Sequence, residues 1–309
     1  MFRKKKILIS GGAGFIGSHL ATALVAADNQ VWRLGRQAES EPILGTKYIP
    51  LDIRNPDCWE ILEQEQFDYV FHLAGNADQN LALQDPRYDL EENFLATFNL
   101  LEKIRSLHVQ PKLIFASSVT VYGNCSDPVL NEETSVTLPM GNYGVSKLAA
   151  ERYVYAYAKQ YQIKALTARI FSTYGPGLRR QIVHDLMKKL IKDPSQLEIF
   201  GTGNEARDII YIDDQVNNLL TIAECGVYEG EAYNAACGSL TTTRQIAEAV
   251  AMAMDLSPKF IFTEQIRVFD APVWLADVSK ITALGCKPTI GLEEGMRRTA
   301  AWFKNNVPV

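Results

Sequence analysis

Apolar residues in the first half of the chain follow two alternating rhythms. Short unbroken runs rich in β-branched and aromatic residues are followed by longer stretches with helical spacing. The runs at 7–9, 30–34, 47–51, 68–74, 112–117 and 164–171 predict strands, and the periodic stretches at 14–27, 56–64, 86–107 and 142–161 predict helices. Strand, helix, strand repeated in this order is the signature of βαβ units, so the pattern predicts an α/β fold around a doubly wound parallel sheet. Past Tyr174 the texture changes to Gly/Pro turns, Gly175-Pro176-Gly177 and Gly201-Thr202-Gly203, with helices predicted at 181–192, 213–224, 243–254 and 292–305. No linker or internal repeat marks a cut. The expected organisation is a main domain over 1–173 and a smaller lobe over 174–309, some of whose segments return to the first.

Composition narrows the function classes. At 309 residues with 47% hydrophobic and 22% charged positions, the chain can bury a large core without metal or disulfide staples. A formal charge of −5 is a poor footprint for nucleic acid or an anionic membrane and favours a small ligand. No apolar run reaches the length of a membrane span, and the one at 7–10 is too short for a signal-peptide core. The five cysteines form no C-x-x-C pair and the four histidines no ligand-spaced cluster. Reduced thiols in a cytoplasmic protein without metal are therefore expected.

Ser10-Gly11-Gly12-Ala13-Gly14-Phe15-Ile16-Gly17 falls between the first predicted strand and the first predicted helix, where a dinucleotide-binding turn has to be. Gly11 allows a tight turn, Gly14 lets the backbone approach a pyrophosphate, and Gly17 lets helix and strand pack closely. Free N–H groups at the helix start then face the anion. The carboxylate that usually ends the second strand and accepts from the adenosine ribose is absent. Gly35-Arg36 stands there instead, which favours the 2′-phosphate of NADP over NAD unless Arg36 stacks on adenine or points to solvent. Asp52 is a candidate acceptor for the adenine amino group, with a turn or capping role as the alternative.

Tyr143 and Lys147 are four residues apart at the start of a predicted helix and so share one face. A neighbouring ammonium lowers a phenol's pKa and suits it to act as base on an alcohol. Together with Ser117-Ser118-Val119-Thr120-Val121-Tyr122-Gly123, His72-Leu73-Ala74-Gly75, Asn93, Arg169-Ile170-Phe171, Tyr174-Gly175-Pro176 and the segment from Gly201 to Asp214, these motifs make the chain resemble the extended short-chain dehydrogenase/reductase family, in its nucleotide-sugar epimerase/dehydratase branch. The resemblance spans nearly the whole chain.

It implies a Rossmann-type sheet, Tyr143 as acid/base, Lys147 tuning it and holding the nicotinamide ribose, Ser118 bonding the reacting oxygen, and Thr120 as a second hydroxyl. The cofactor, NADP or NAD, would lie against Gly11, Gly14, Phe15, Ile16, Gly17, Arg36, Asp52, Ile53, Leu73, Ala74, Gly75, Asn93 and Phe171. A nucleotide-diphosphate sugar would meet Asn76, Ser118, Ser172, Arg179 and Arg207, the arginines clamping the diphosphate, with Arg180 an alternative to Arg179. The faces of the helices near 86–107 and 142–161 would pair two subunits. Val119 and Thr120 stand where dehydratases of the branch carry acidic residues, which disfavours dehydration; Gly75 and Ser172 replace the usual Ala and Asn. The expected activity is 4-epimerisation through a 4-keto sugar, with an NADPH-dependent 4-ketoreductase as the alternative. Less favoured are a reductase of a non-nucleotide alcohol and a non-catalytic nucleotide sensor.

Overall fold

The computed structural model describes residues 2–36, 42–265 and 273–307. Strands β1 (Lys6–Ser10), β2 (Gln30–Gly35), β3 (Thr46–Pro50), β4 (Tyr69–His72), β5 (Lys112–Ser118) and β6 (Ala165–Ile170) lie where the apolar runs predict them. A seventh strand, Glu229–Ala235, comes back from the second half to the edge beside β6. All seven are parallel, ordered Glu229–Ala235, β6, β5, β4, β1, β2, β3. Unbroken apolar runs are what such a sheet demands, because both faces are covered. In β1, Ile7 and Ile9 enter a core shared with the helix Phe15–Ala26 and the C-terminal helices, while Leu8 enters the opposite core with Leu100, Ile104 and Val154. The chain order reverses between β1 and β4, which opens a crevice at their C-terminal ends.

Helices Gln181–Lys192, Ile212–Cys225, Thr243–Ala253 and Leu292–Asn306 also match their predicted positions to within two residues. The second half holds strands that the pattern does not reveal. Ala206–Tyr211 is flanked by Ser172–Tyr174, Leu240–Thr242 and Val273–Trp274, and Gln196–Ile199 pairs with Lys259–Phe262. Most of these are only two to four residues long, too short to establish a period against the neighbouring turns. The single helix expected over 86–107 is also more elaborate. It begins as Pro86–Leu90, widens into a π-helical turn at Glu91–Leu95, and resumes as Ala96–Ser106. The wider turn buries both Glu92 and Asn93, two polar residues side by side in sequence.

The long helix Asn142–Tyr161 is tied to β6 by an ion pair with almost no water access. Arg169 donates from Nη2 to Glu151 Oε1 at 2.5 Å and from Nε to both carboxylate oxygens at 3.2 Å, and its Nη1 reaches the Tyr122 hydroxyl at 2.7 Å. Removing one partner of such a pair strands a buried charge. Glu151→Ala is therefore expected to lower stability by about 3–5 kcal/mol, read as a shift in the urea midpoint at unchanged slope.

Candidate active site

The crevice at the switch point is a cleft of about 520 Å³. Its floor is made by the turn from Ser10 to Gly17. Gly11 has φ +73°, and a Cβ there would lie 2.7 Å from the Ala74 backbone nitrogen. A Cβ on Gly17 would collide with the Gly11 carbonyl. Gly14, the N-cap of the first helix, is different. Its φ is ordinary, and an added Cβ would meet only the Gly11 carbonyl, at 3.1 Å. Its open side faces the cleft, so this is the point where a ligand's anion can approach the N–H groups of the helix.

One wall carries the hydroxyl groups. Ser118 ends β5, Thr120 follows in a short 3₁₀ turn, and Tyr143 opens the long helix. Thr120 Oγ1 donates to Ser118 Oγ at 3.0 Å, and the Tyr143 phenol lies near enough to the Ser118 hydroxyl to feel it electrostatically. Burial raises the phenol's pKa above its ordinary value, and the neighbouring Ser118 hydroxyl and the charge of Arg180 offset only part of that rise. The largest cationic contribution thus comes from Arg180, where the sequence suggests Lys147. Lys147 is buried one turn further on and donates to the Ala116 carbonyl at 2.8 Å. Burial depresses its pKa to about 8, with Asp89 and Glu92 resisting the shift.

Beneath the cleft lies a polar hub that the sequence does not announce. The Asp89 carboxylate, 1% exposed, accepts from Asn76 Nδ2 at 2.8 Å, Asn93 Nδ2 at 2.9 Å and Ser146 Oγ at 2.6 Å. It joins the loop after β4, the π turn and the helix of Tyr143. Asn93 Oδ1 is left buried without a partner. A Cβ on Gly75 would strike that oxygen and lie 3.4 Å from Lys147 Nζ. An acceptor and an ammonium converging under a bare glycine backbone suit a polyhydroxylated ligand, and with the anion cradle at Gly14 they fit a dinucleotide.

Of the expected residues, Gly11, Gly14, Phe15, Ile16, Gly17, Arg36, Ile53, Leu73, Ala74, Gly75, Asn76, Ser118, Thr120, Tyr143, Lys147, Phe171 and Ser172 line the cleft. Four expected residues do not. Asp52 is taken up by Arg54, which reaches it through the backbone N–H at 2.9 Å and through Nη2 at 2.6 Å. Asn93 lies one layer below the wall. Arg179 turns toward the Trp302 ring, 6.0 Å away, and it is Arg180 that faces the cleft. Arg207 packs 4.9 Å from the ring of Trp274, and Trp274 is the residue on the wall. Trp274, Tyr48 and Gln181 are lining residues that sequence reasoning does not single out.

The model of the NAD dependent epimerase/dehydratase family matches residues 7–236. The chain belongs to that family. Among relatives in the epimerase/dehydratase family is UDP-glucuronate 4-epimerase of Thermodesulfobacterium geofontis, 31% identical over 97% of this chain and 96% of its own length. The UDP-glucuronic acid 4-epimerase of Bacillus cereus, solved with UDP-glucuronic acid and NAD, superposes with a TM-score of 0.87 at 28% identity, covering 97% of this chain and 99% of that one. UDP-glucose 4-epimerase of Thermotoga maritima, solved with UDP-glucose, gives 0.88 at 27% identity, covering 98% and 99%. Among the described residues no helix is long and apolar enough to cross a membrane.

Gly14→Val keeps an accessible backbone conformation and places a branched side chain at the anion approach. Dinucleotide affinity measured by calorimetry is expected to fall below detection while the urea midpoint moves little. Unchanged affinity would assign this turn a purely structural role.

Proposed function

We propose that the chain is a nucleotide-sugar 4-epimerase that works through a 4-keto sugar with bound NAD, with Tyr143 as the acid/base. The observation that carries this reading is the continuity of the cleft, which runs from the cradle at Gly14 to the hydroxyl wall of Ser118, Thr120 and Tyr143. When bound, the dinucleotide supplies a hydride acceptor that becomes the donor on return. Tyr143, once deprotonated, would take the proton of the sugar C4 hydroxyl and then give it back. Ser118, bonded to Thr120 and close to Tyr143, would hold the reacting oxygen. Lys147 would hold the ribose beside Gly75, with Asn93 behind it, and Arg180 lies on the wall where it can meet the diphosphate. Val119 and Thr120 leave no second acid beside the reacting carbon, which argues against elimination of water.

Gly35-Arg36 is the feature that favours a dissociable NADPH and a one-way 4-ketoreductase. Arg36 is bonded to Tyr88 and, at 2.9 Å, to Glu92, which supports NAD and therefore the epimerase. Leu83, Leu90, Leu95, Val145 and Tyr153 are exposed on the helical segments near 79–106 and 142–161, which supports a homodimer formed through those faces. Five unpaired thiols support a cytoplasmic setting.

The test is incubation with UDP-glucose, UDP-glucuronate and their 4-epimers, separated by chromatography. Interconversion without net cofactor consumption is the expected result. Stoichiometric NADPH oxidation with a 4-keto sugar and no interconversion would establish the reductase instead. Tyr143→Phe is expected to lose about 10²–10⁴-fold in turnover with cofactor affinity nearly unchanged.

Lys147 adds a pH dependence. Its pKa of about 8 means that the ammonium is present below that pH and lost above it, and a group that binds as the cation strengthens binding only where it is protonated. Dinucleotide affinity is expected to fall as pH rises from 7 to 9, and Lys147→Met to abolish that slope.

A further inference from the structure

The adenosine end of the cleft is walled by Gly35, Arg36, Tyr48, Leu51, Ile53 and Glu92. Gly35 has no side chain, and a Cβ there would run into the Tyr48 hydroxyl. A carboxylate on the end of β2 is thus excluded unless Tyr48 moves. The acidic group in this corner comes from a different element. The π turn at Glu91–Leu95 turns Glu92 inward, and its side chain keeps only 4% of its exposure. Glu92 Oε1 accepts from Arg36 Nη1 at 2.9 Å and lies 3.4 Å from Arg54 Nε. Arg36 also donates to the Tyr88 hydroxyl, and Arg54 grips Asp52. Among the described residues, two guanidinium groups and two carboxylates cancel here, so they offer a phosphate no net charge.

We propose that Glu92 is the specificity-determining carboxylate for the cofactor: it holds Arg36 in an internal ion pair and so selects a dinucleotide with a free adenosine 2′-hydroxyl over its 2′-phosphorylated form. The inference rests on the dinucleotide reading of the cleft and goes beyond it by naming which group decides between the two cofactors. An incoming 2′-phosphate would have to displace Glu92 from Arg36 and then sit beside the displaced carboxylate, losing on both counts.

The experiment measures binding of NAD and NADP by calorimetry, without sugar, to the wild type, Glu92→Gln, Arg36→Ala and the double variant. Wild type is expected to prefer NAD. Glu92→Gln keeps the side-chain shape and removes the charge, and is expected to raise NADP affinity relative to NAD by about 10- to 100-fold, the effect of one freed charge-assisted contact. Adding Arg36→Ala should cancel that gain, and Arg36→Ala alone, which leaves Glu92 without this partner, should lower NADP affinity relative to NAD still further. An unchanged ratio in Glu92→Gln, a wild type that prefers NADP, or an Arg36→Ala variant that gains NADP affinity relative to NAD would each overturn the proposal. The last two need no Glu92 variant to fold. A wild type that binds neither dinucleotide would overturn the cofactor reading itself, and is thereby distinguished from a failure of Glu92 alone.

Discussion

The site depends on how closely the chain leaving β1 approaches the chain leaving β4. At Gly11 the contact is backbone against backbone, with Leu73 and Ala74 already inside the space a side chain would fill. Ser10 Oγ meets His72 Nδ1 at 2.6 Å and accepts from the Ala74 N–H at 3.4 Å, while His72 Nε2 lies 3.1 Å from the Thr97 hydroxyl. Burial holds His72 neutral, its pKa pushed down to about 3, so it can donate with one ring nitrogen and accept with the other. The two strand ends are thereby locked together at the topological switch. Because Gly17 lets the first helix settle against the Gly11 carbonyl, the N–H groups of the helix open directly onto the gap.

A second constraint sets the other wall. Asp89 is a buried carboxylate with both oxygens engaged, and each of its three donors belongs to a different piece of the site. Burying a carboxylate is costly unless hydrogen bonds replace water. The loop at Asn76, the π turn at Asn93 and the long helix at Ser146 therefore reach a good arrangement only together. Ser146 lies between Tyr143 and Lys147 in sequence, so the same contact sets the rotation of the helix that carries both. The ion pair of Glu151 with Arg169 fixes that helix about one and a half turns further along.

Features that rest on periodicity or backbone geometry were legible in the sequence, and features that rest on where single polar residues point were not. Five of the six strands of the first half are buried on both faces, and the helix Asn142–Tyr161 is long enough to reveal its period, so these lie where the pattern puts them. The glycine spacing around Gly11 reports steric demands that no other residue meets. By contrast, Asp89 and Glu92 stand among charged neighbours in Asp85 to Glu92 and read as part of a solvated helix face. Only the π turn, which changes the rotation per residue, takes Glu92 to the interior. The short strands around Ala206–Tyr211 are defined by their partners more than by their own composition.

Arg36 shows why residue type alone misleads at such a site. An arginine after a glycine at the end of the second strand reads as a cation suited to a phosphate. In the folded chain the opposing charge arrives from a residue 56 positions away. The space left by Gly35 is filled by the Tyr48 hydroxyl. What a pocket offers is its charge after internal pairing, and two arginines held by two acids offer shape and hydrogen bonds more than net attraction. A carboxylate missing from one element can thus be supplied by another, provided the backbone that carries it is turned far enough to reach the same corner.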